Sequence, residues 1–198
     1  VVSTSSDKLA SVHLGAYSRG YLPHFDQPGL VQTVTFRLID SISPERLARL
    51  RQGLTPEDRR QTFNRVETEI DRGYGACYLR HPRVAEMMQE TLLHFDGERY
   101  RMLCWSIMPN HVHCIFELLE GFPLPKVVKS WKSYSANQGN KLLERAGPFW
   151  APDYFDRYVR DVEHLHAAAD YIHYNPVKAG LCKTMADWPW SSYRRWNE

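Results

Sequence analysis

The sequence predicts an α+β fold, an antiparallel β-sheet with helices packed on it. Two observations carry this. Two apolar runs, residues 99–107 and 111–118, are joined by Met108-Pro109-Asn110, a connection short enough for a hairpin. Around them, segments with a helical apolar period are mixed with further strand-like runs. The chain has 198 residues, 43% hydrophobic and 24% charged, which suits one domain with a sizeable core.

The elements follow in order. Residues 1–16 are largely polar and lack the basic and apolar regions of a signal peptide, so they are expected to be a disordered or extended lead-in. Residues 31–38 are β-branched and partly alternating, the pattern of a strand. Ser43-Pro44-Glu45 and Thr55-Pro56-Glu57 each pair an N-cap residue with proline at the first helical position. They predict a short helix and then a longer polar one to about Asp71. Residues 82–95 place Val84, Met87, Met88, Thr91 and Leu92 on one helical face, and Asp96-Gly97 ends that helix. After the strand pair, Pro125 opens a helix to about Leu143, and residues 154–159 form another strand. Asp161 caps a helix expected to stop at Asn175, because Pro176 follows. Residues 182–198 carry Trp188, Trp190 and Trp196 and are expected to pack on or near the domain as an extension.

Composition excludes several classes. No apolar run approaches the ~20 residues of a membrane helix, and a cytoplasmic location is the default. Cys77, Cys104, Cys114 and Cys182 form no C-x-x-C pair, which argues against a structural zinc module. They read as reduced and mostly buried. Net charge is only +2, but Lys126, Lys129, Lys132 and Lys141 follow one another with no acid between them. Trp131 and Tyr134 are interleaved, a mixture that suits a phosphate backbone and unstacked bases. An ordinary solvated helix face has the same appearance.

The most informative stretch is Met108-Pro109-Asn110-His111-Val112-His113. In a strand, residues i and i+2 share a face. His111 and His113 therefore present two imidazoles side by side, while Val112, Cys114, Phe116 and Leu118 turn into a core. Two neutral imidazoles on a rigid strand make a partial metal site. His164-Leu165-His166 repeats the spacing in a helical context, where i and i+2 lie about 200° apart and cannot share a ligand. Ile115 stands where a third alternate histidine would complete an H-x-H-x-H nucleotidyl hydrolase motif. No histidine is followed at +2 by Ser or Thr, which removes the two-histidine phosphoesterases. On the helix after Asp161, Leu165, Ala168, Ala169 and Ile172 form the apolar stripe. Tyr171 and Asn175 lie together on its flank, and Tyr174 points nearly away. An amide oxygen can be a third ligand for a hard divalent cation, and a phenol can be a nucleophile.

The segments Trp105-Ser106-Ile107-Met108-Pro109-Asn110-His111-Val112-His113 and Tyr171-Ile172-His173-Tyr174-Asn175-Pro176-Val177-Lys178-Ala179-Gly180-Leu181 resemble REP-associated tyrosine transposases. These belong to the single-tyrosine HUH (His-hydrophobic-His) superfamily. The segments 17–25, 34–38, 131–134 and 149–158 resemble the family too. The ordered set covers nearly all of residues 17–196.

The resemblance implies a ferredoxin-like HUH fold over residues 17–181, with the histidine motif on a central strand. It implies His111 and His113 as metal ligands and Tyr171 as catalytic nucleophile. Asn175 stands where related insertion-sequence transposases carry a glutamine as third ligand. The cofactor implied is a divalent cation, Mg²⁺ or Mn²⁺. The implied substrate is single-stranded DNA that folds into REP hairpins, cut and rejoined through a 5′-phosphotyrosine without ATP. Lys129, Lys132, Arg157 and Arg160 are expected to contact the DNA backbone. Tyr17, Arg19, Tyr21 and His24 are expected to read or stack bases near the hairpin foot. A nucleoid-associated monomer or homodimer fits this picture. The alternatives are another HUH nickase, such as a replication initiator or relaxase, and a domesticated protein that holds REP hairpins without cutting.

Overall fold

The computed structural model describes residues 13–19, 22–52 and 58–196. A hairpin of β1 (Gly15–Arg19) and β2 (Leu22–Asp26) leads into a four-stranded antiparallel sheet. Its strands are β3 (Val31–Arg37), β4 (Tyr100–Ile107), β5 (His111–Leu118) and β6 (Phe155–Tyr158), in the spatial order β4-β5-β3-β6. The helices are α1 (Pro44–Arg51), α2 (Arg59–Ile70), α3 (Pro82–Leu93), α4 (Leu124–Leu142), α5 (Val162–Lys178) and a terminal turn, α6 (Tyr193–Trp196). The α+β architecture is the one expected. Ser43 caps α1 by accepting from the Arg46 amide at 3.2 Å. The cap expected at Thr55 lies outside the described residues.

Helices cover both faces of the sheet, so its strands bury both sets of side chains. On one face Val34, Phe36, Val112, Cys114 and Phe116 meet α3 and α4 in the main core. On the other, Cys104 and Ile115 pack against Ala169 and Ile172 of α5. Ile42 and Phe155 pack there with Val66 and Ile70 of α2. Alternation along β4 is broken by an irregularity between Met102 and Cys104. The extra residue re-phases the strand. Tyr100 and Met102 before it, and Trp105 and Ile107 after it, therefore reach the same core.

Two details differ from the sequence expectation. Trp131 is 1% exposed. Its indole N–H donates to the Tyr100 hydroxyl at 2.9 Å, so it belongs to the core and cannot stack a base. Pro176 does not stop α5, which continues to Lys178. A proline one turn from a helix end forfeits a single amide hydrogen bond. The chain then closes the end properly: the Ala179 amide donates to Asn175 O and the Leu181 amide to Pro176 O, both at 2.9 Å. Gly180, at φ +69°, supplies the left-handed residue that such a closure favours.

The tryptophan-rich tail runs along the outer edge of β4. Ile107 N donates to Trp190 O at 2.9 Å and Ser192 N to Trp105 O at 3.0 Å. That pairing covers an edge strand that would otherwise be open. The four cysteines are free thiols, three of them buried. No helix among the described residues is long and apolar enough to cross a membrane.

Candidate active site

The site grows out of the β4–β5 hairpin. Asn110, in its turn, is fully buried and donates to Ile70 O and Tyr74 O, both at 3.0 Å. With its N–H groups committed, its Oδ1 lies 2.7 Å from His111 Nδ1 and accepts a hydrogen bond from that N–H. His111 is then the tautomer whose Nε2 is a bare lone pair. Thr35, opposite His113 in the β3–β5 register, sits 2.8 Å from His113 Nδ1 and orients the second ring. The two Nε2 atoms converge at 2.9 Å. Adjacent ligands at right angles around a cation with bonds of about 2.1 Å lie about 3.0 Å apart, so this pair matches a shared ion.

Asn175, on α5, brings its amide to this point, with Nδ2 2.9 Å from His113 Nε2 and 3.4 Å from Asp71 Oδ1. Its Oδ1 is buried with no hydrogen-bond partner. The N–H side satisfies the imidazole lone pair. A cation among these groups favours the opposite amide orientation, which turns the orphaned oxygen inward. Asp71, just past the end of α2, places Oδ1 3.7 Å from His111 Nε2. Asp71, His111 and His113 each offer a ligand atom, all within 4.8 Å of one another. The donor set of two imidazoles, an amide and a carboxylate fits a divalent cation.

Tyr171 stands one turn before Asn175, its ring centroid 6.0 Å from that of His113. Its hydroxyl donates to Glu67 Oε2 at 3.4 Å. Lys178 holds Asp71 Oδ2 at 2.8 Å, with Nζ 5.5 Å from the Tyr171 ring centroid. With the Asn175–Asp71 contact, three hydrogen bonds tie α5 to the end of α2 across the site.

Burial dominates the proton affinities. It draws His111 well below the ordinary histidine value, and the neighbouring His113 adds to the effect. His113 falls to about 4, again through burial, with Asp71 opposing. Both imidazoles are thus neutral and ligand-ready near pH 7. Glu67 is pushed up to about 8 by burial and then by the charge of Asp71. Tyr171 is pushed well above the ordinary tyrosine value, first by burial and then by Glu67 and Asp71. Crowded acceptors hold the phenol protonated, an effect that positive charge reverses.

His111, His113, Tyr171 and Asn175 come together within one chain. The control pair behaves as the helical spacing requires: His164 borders a cleft beside Tyr171, and His166 turns to Trp196. Tyr174 is 53% exposed. Of the expected DNA contacts, Arg157 lines that cleft, and Lys129 and Arg160 are exposed. Lys132 is engaged within the protein, where its ammonium donates to Ala151 O, Pro152 O and Asp153 O at 2.7, 3.0 and 3.1 Å. Those carbonyls use the three N–H groups a phosphate would need. Tyr21 lies outside the described residues, as do the side chains of Tyr17, Arg19 and His24, although β1 and β2 pair Tyr17 with His24. Sequence reasoning missed Glu67 and Asp71. The available signal was an acidic i, i+4 pair at a helix C-terminus, where the helix dipole disfavours negative charge.

Comparison with known proteins agrees with this geometry. The profile of the family described as IS200-like transposases matches residues 54–175. A REP-associated tyrosine transposase of Escherichia coli K12 is 28% identical over 115 residues, 56% of this chain. The matched region spans 65% of that relative's length, just under two thirds. A Haemophilus influenzae protein named for the same group is 29% identical over 149 residues, covering 67% of this chain and 78% of that one. A solved structure of a REP-associated tyrosine transposase bound to a REP hairpin has the same fold. Its TM-score is 0.55 at 20% identity, over 90% of this chain and 82% of that one. With a family match over well more than half of its residues, on a sheet and site of this form, the chain belongs to the IS200-like transposases.

Proposed function

We propose that this chain is a metal-dependent transposase that cuts and rejoins single-stranded DNA at REP-type hairpins through a 5′-phosphotyrosine at Tyr171. One observation carries the reading. Tyr171 stands on the helix whose next turn brings the Asn175 amide within 2.9 Å of His113 Nε2, so the nucleophile and the third ligand are fixed by the same element.

His111, His113 and Asn175 would hold Mg²⁺ or Mn²⁺, with Asp71 beside them. Bound there, the cation supplies Lewis-acid polarisation of the scissile phosphate and offsets developing negative charge. Asn110 keeps His111 in the ligating tautomer, and Thr35 orients the His113 ring. Tyr171 Oη attacks phosphorus in line, forming the Oη–P bond as the P–O3′ bond breaks. Glu67, 3.4 Å from Oη, is protonated near pH 7 in the metal-free chain, and once nearby positive charge favours its carboxylate form it is positioned to accept the phenolic proton. The 3′-oxygen takes a proton from solvent and leaves as a hydroxyl. The phosphotyrosine retains the bond energy, so a 3′-hydroxyl reverses the step and joins strands.

Arg157, Arg160 and Lys129 serve as backbone contacts, and Tyr17, Arg19, Tyr21 and His24 serve to read or stack bases at the hairpin foot. That the whole constellation comes from one chain supports a site that a single copy completes.

The test is a nicking assay on single-stranded hairpin DNA with Mg²⁺ or Mn²⁺. A covalent protein–DNA adduct is expected, lost in Tyr171→Phe and in chelator. An adduct that persists in Tyr171→Phe rejects the nucleophile. Tight hairpin binding with no adduct under any of these conditions favours a protein that holds REP hairpins without cutting.

A further inference from the structure

A cleft of about 300 Å³ opens beside the site, walled by Tyr171, His113 and Thr35 and by the first half of α5. That volume is at the low end for small-ligand sites and has room for one nucleotide. Along α5 the order is Ala167 and Ala168 in the cleft, then Tyr171, then Asn175 and Lys178. Tyr171 and His113 therefore belong both to the cleft and to the site.

We propose that this cleft holds the deoxynucleotide immediately 3′ to the scissile phosphate, the one that becomes attached to the enzyme. The inference rests on the strand-cleaving function proposed above. In-line attack sets the geometry. The leaving 3′-oxygen must lie opposite Tyr171 Oη across the phosphorus, so the upstream nucleotide departs on the side away from the phenol. The downstream nucleotide is joined through its 5′-oxygen, which is not apical and stays bonded to phosphorus. It alone can turn back past the phenol into a cleft on the nucleophile's side. The walls suit it. Ala167 and Ala168 line it with apolar surface suited to sugar and base, and Asn64 and Arg157 line it too, an amide and a cation suited to the base and the next phosphate. Holding this nucleotide retains the covalent intermediate while the upstream 3′-hydroxyl exchanges.

The test uses single-stranded hairpin oligonucleotides with an abasic residue placed at each position flanking the bond. It compares the full chain with Ala167→Trp, an exposed helical position whose enlargement fills the cleft from its rim. With Mn²⁺, an abasic residue 3′ to the bond is expected to slow adduct formation by wild type about tenfold, since one base contact is worth about 1–3 kcal/mol. In Ala167→Trp the intact strand is expected to be slowed by a similar factor, with the abasic effect falling below twofold. An abasic residue 5′ to the bond should act equally on both proteins. The proposal is overturned if Ala167→Trp cleaves the intact strand at the wild-type rate, or if the 5′ position is the one desensitised. Equilibrium binding by Tyr171→Phe, with and without Ala167→Trp, reads the cleft without chemistry. If no adduct forms but Ala167→Trp abolishes the sensitivity of binding to one abasic position, the cleft is a nucleotide site and the cleavage reading fails. If neither binding nor cleavage responds, the cleft proposal fails.

Discussion

Glu67 offers a quantitative handle on the site. Its carboxyl moves from 4.5 to about 8 on folding, because it is buried beside Asp71. At 1.36 kcal/mol per pH unit, this corresponds to about 5 kcal/mol held against its ionised form. The sign follows from proton counting. Below pH 4.5 both states are protonated and nothing is lost. Between 4.5 and about 8 the unfolded chain releases the proton while the folded chain keeps it, so stability falls as pH rises. Above about 8 the cost levels off. Glu67→Gln keeps an acceptor for the Tyr171 hydroxyl and removes the titration. The expected result is a gap in urea-unfolding free energy, variant minus wild type, that widens by about 4 kcal/mol from pH 5 to pH 8.5 in chelator. For a chain of this size that corresponds to about 8–16 °C in Tm. Added Mn²⁺ should narrow the gap, because a neighbouring cation favours the carboxylate. Unfolding curves that stay parallel across this range in chelator refute the linkage.

Four further substitutions separate site, packing and surface. Asn110→Ala leaves the carbonyls of Ile70 and Tyr74 without their donor and frees His111 Nδ1. It should cost about 2–4 kcal/mol in urea unfolding, and weaken Mn²⁺ binding about 10–100-fold by calorimetry. Gly139→Ala would set a Cβ 2.7 Å from Phe149 Cε2 and 2.9 Å from Cζ, against a ring that is 1% exposed. Overpacking of this kind should cost about 1–3 kcal/mol in thermal unfolding, with the nicking pattern unchanged. Lys132→Ala should lower Tm by several degrees through loss of three carbonyl partners. Lys129→Ala should leave Tm alone and reduce the salt dependence of DNA binding by about one counterion.

What the sequence made legible is what local periodicity encodes. Alternation along 111–118 put His111 and His113 on one face, and the helical step put Tyr171 with Asn175. Both pairings are local, so two residues' spacing decides them. The misses are tertiary. Trp131 lies among lysines in sequence, but the 100° step turns it into the core while Lys129 stays outside. Lys132 reaches loop carbonyls some 20 residues on, a contact with no local signature. Glu67 and Asp71 meet the histidines only because α2 packs at the end of the sheet, with Val66 and Ile70 against Phe155. Pro176 misled because its usual effect assumes a helix interior, whereas here the last turn is closed by Gly180.

The placement of those two acids explains why the site is assembled from two helices rather than from the sheet and α5 alone. Asp71 engages Lys178 and the Asn175 amide, and Glu67 engages the Tyr171 hydroxyl. Each end of the α5 site segment is therefore tied to α2. The same acids raise the proton affinity of the phenol, so a chain without bound cation holds its nucleophile protonated and hydrogen-bonded. Positive charge near His111, His113 and Asp71 acts on both effects at once: it competes with Lys178 for Asp71, and it lowers the proton affinity of Tyr171. Ligand capture and nucleophile release are then coupled through shared carboxylates. Replacing Asp71 with Asn should uncouple them. Mn²⁺ should bind more weakly by calorimetry. The phenol, spared one negative neighbour, should titrate at lower pH in ultraviolet difference spectra of the metal-free protein. A phenol whose titration is unmoved by Asp71→Asn would show that the carboxylate acts on the ligands alone.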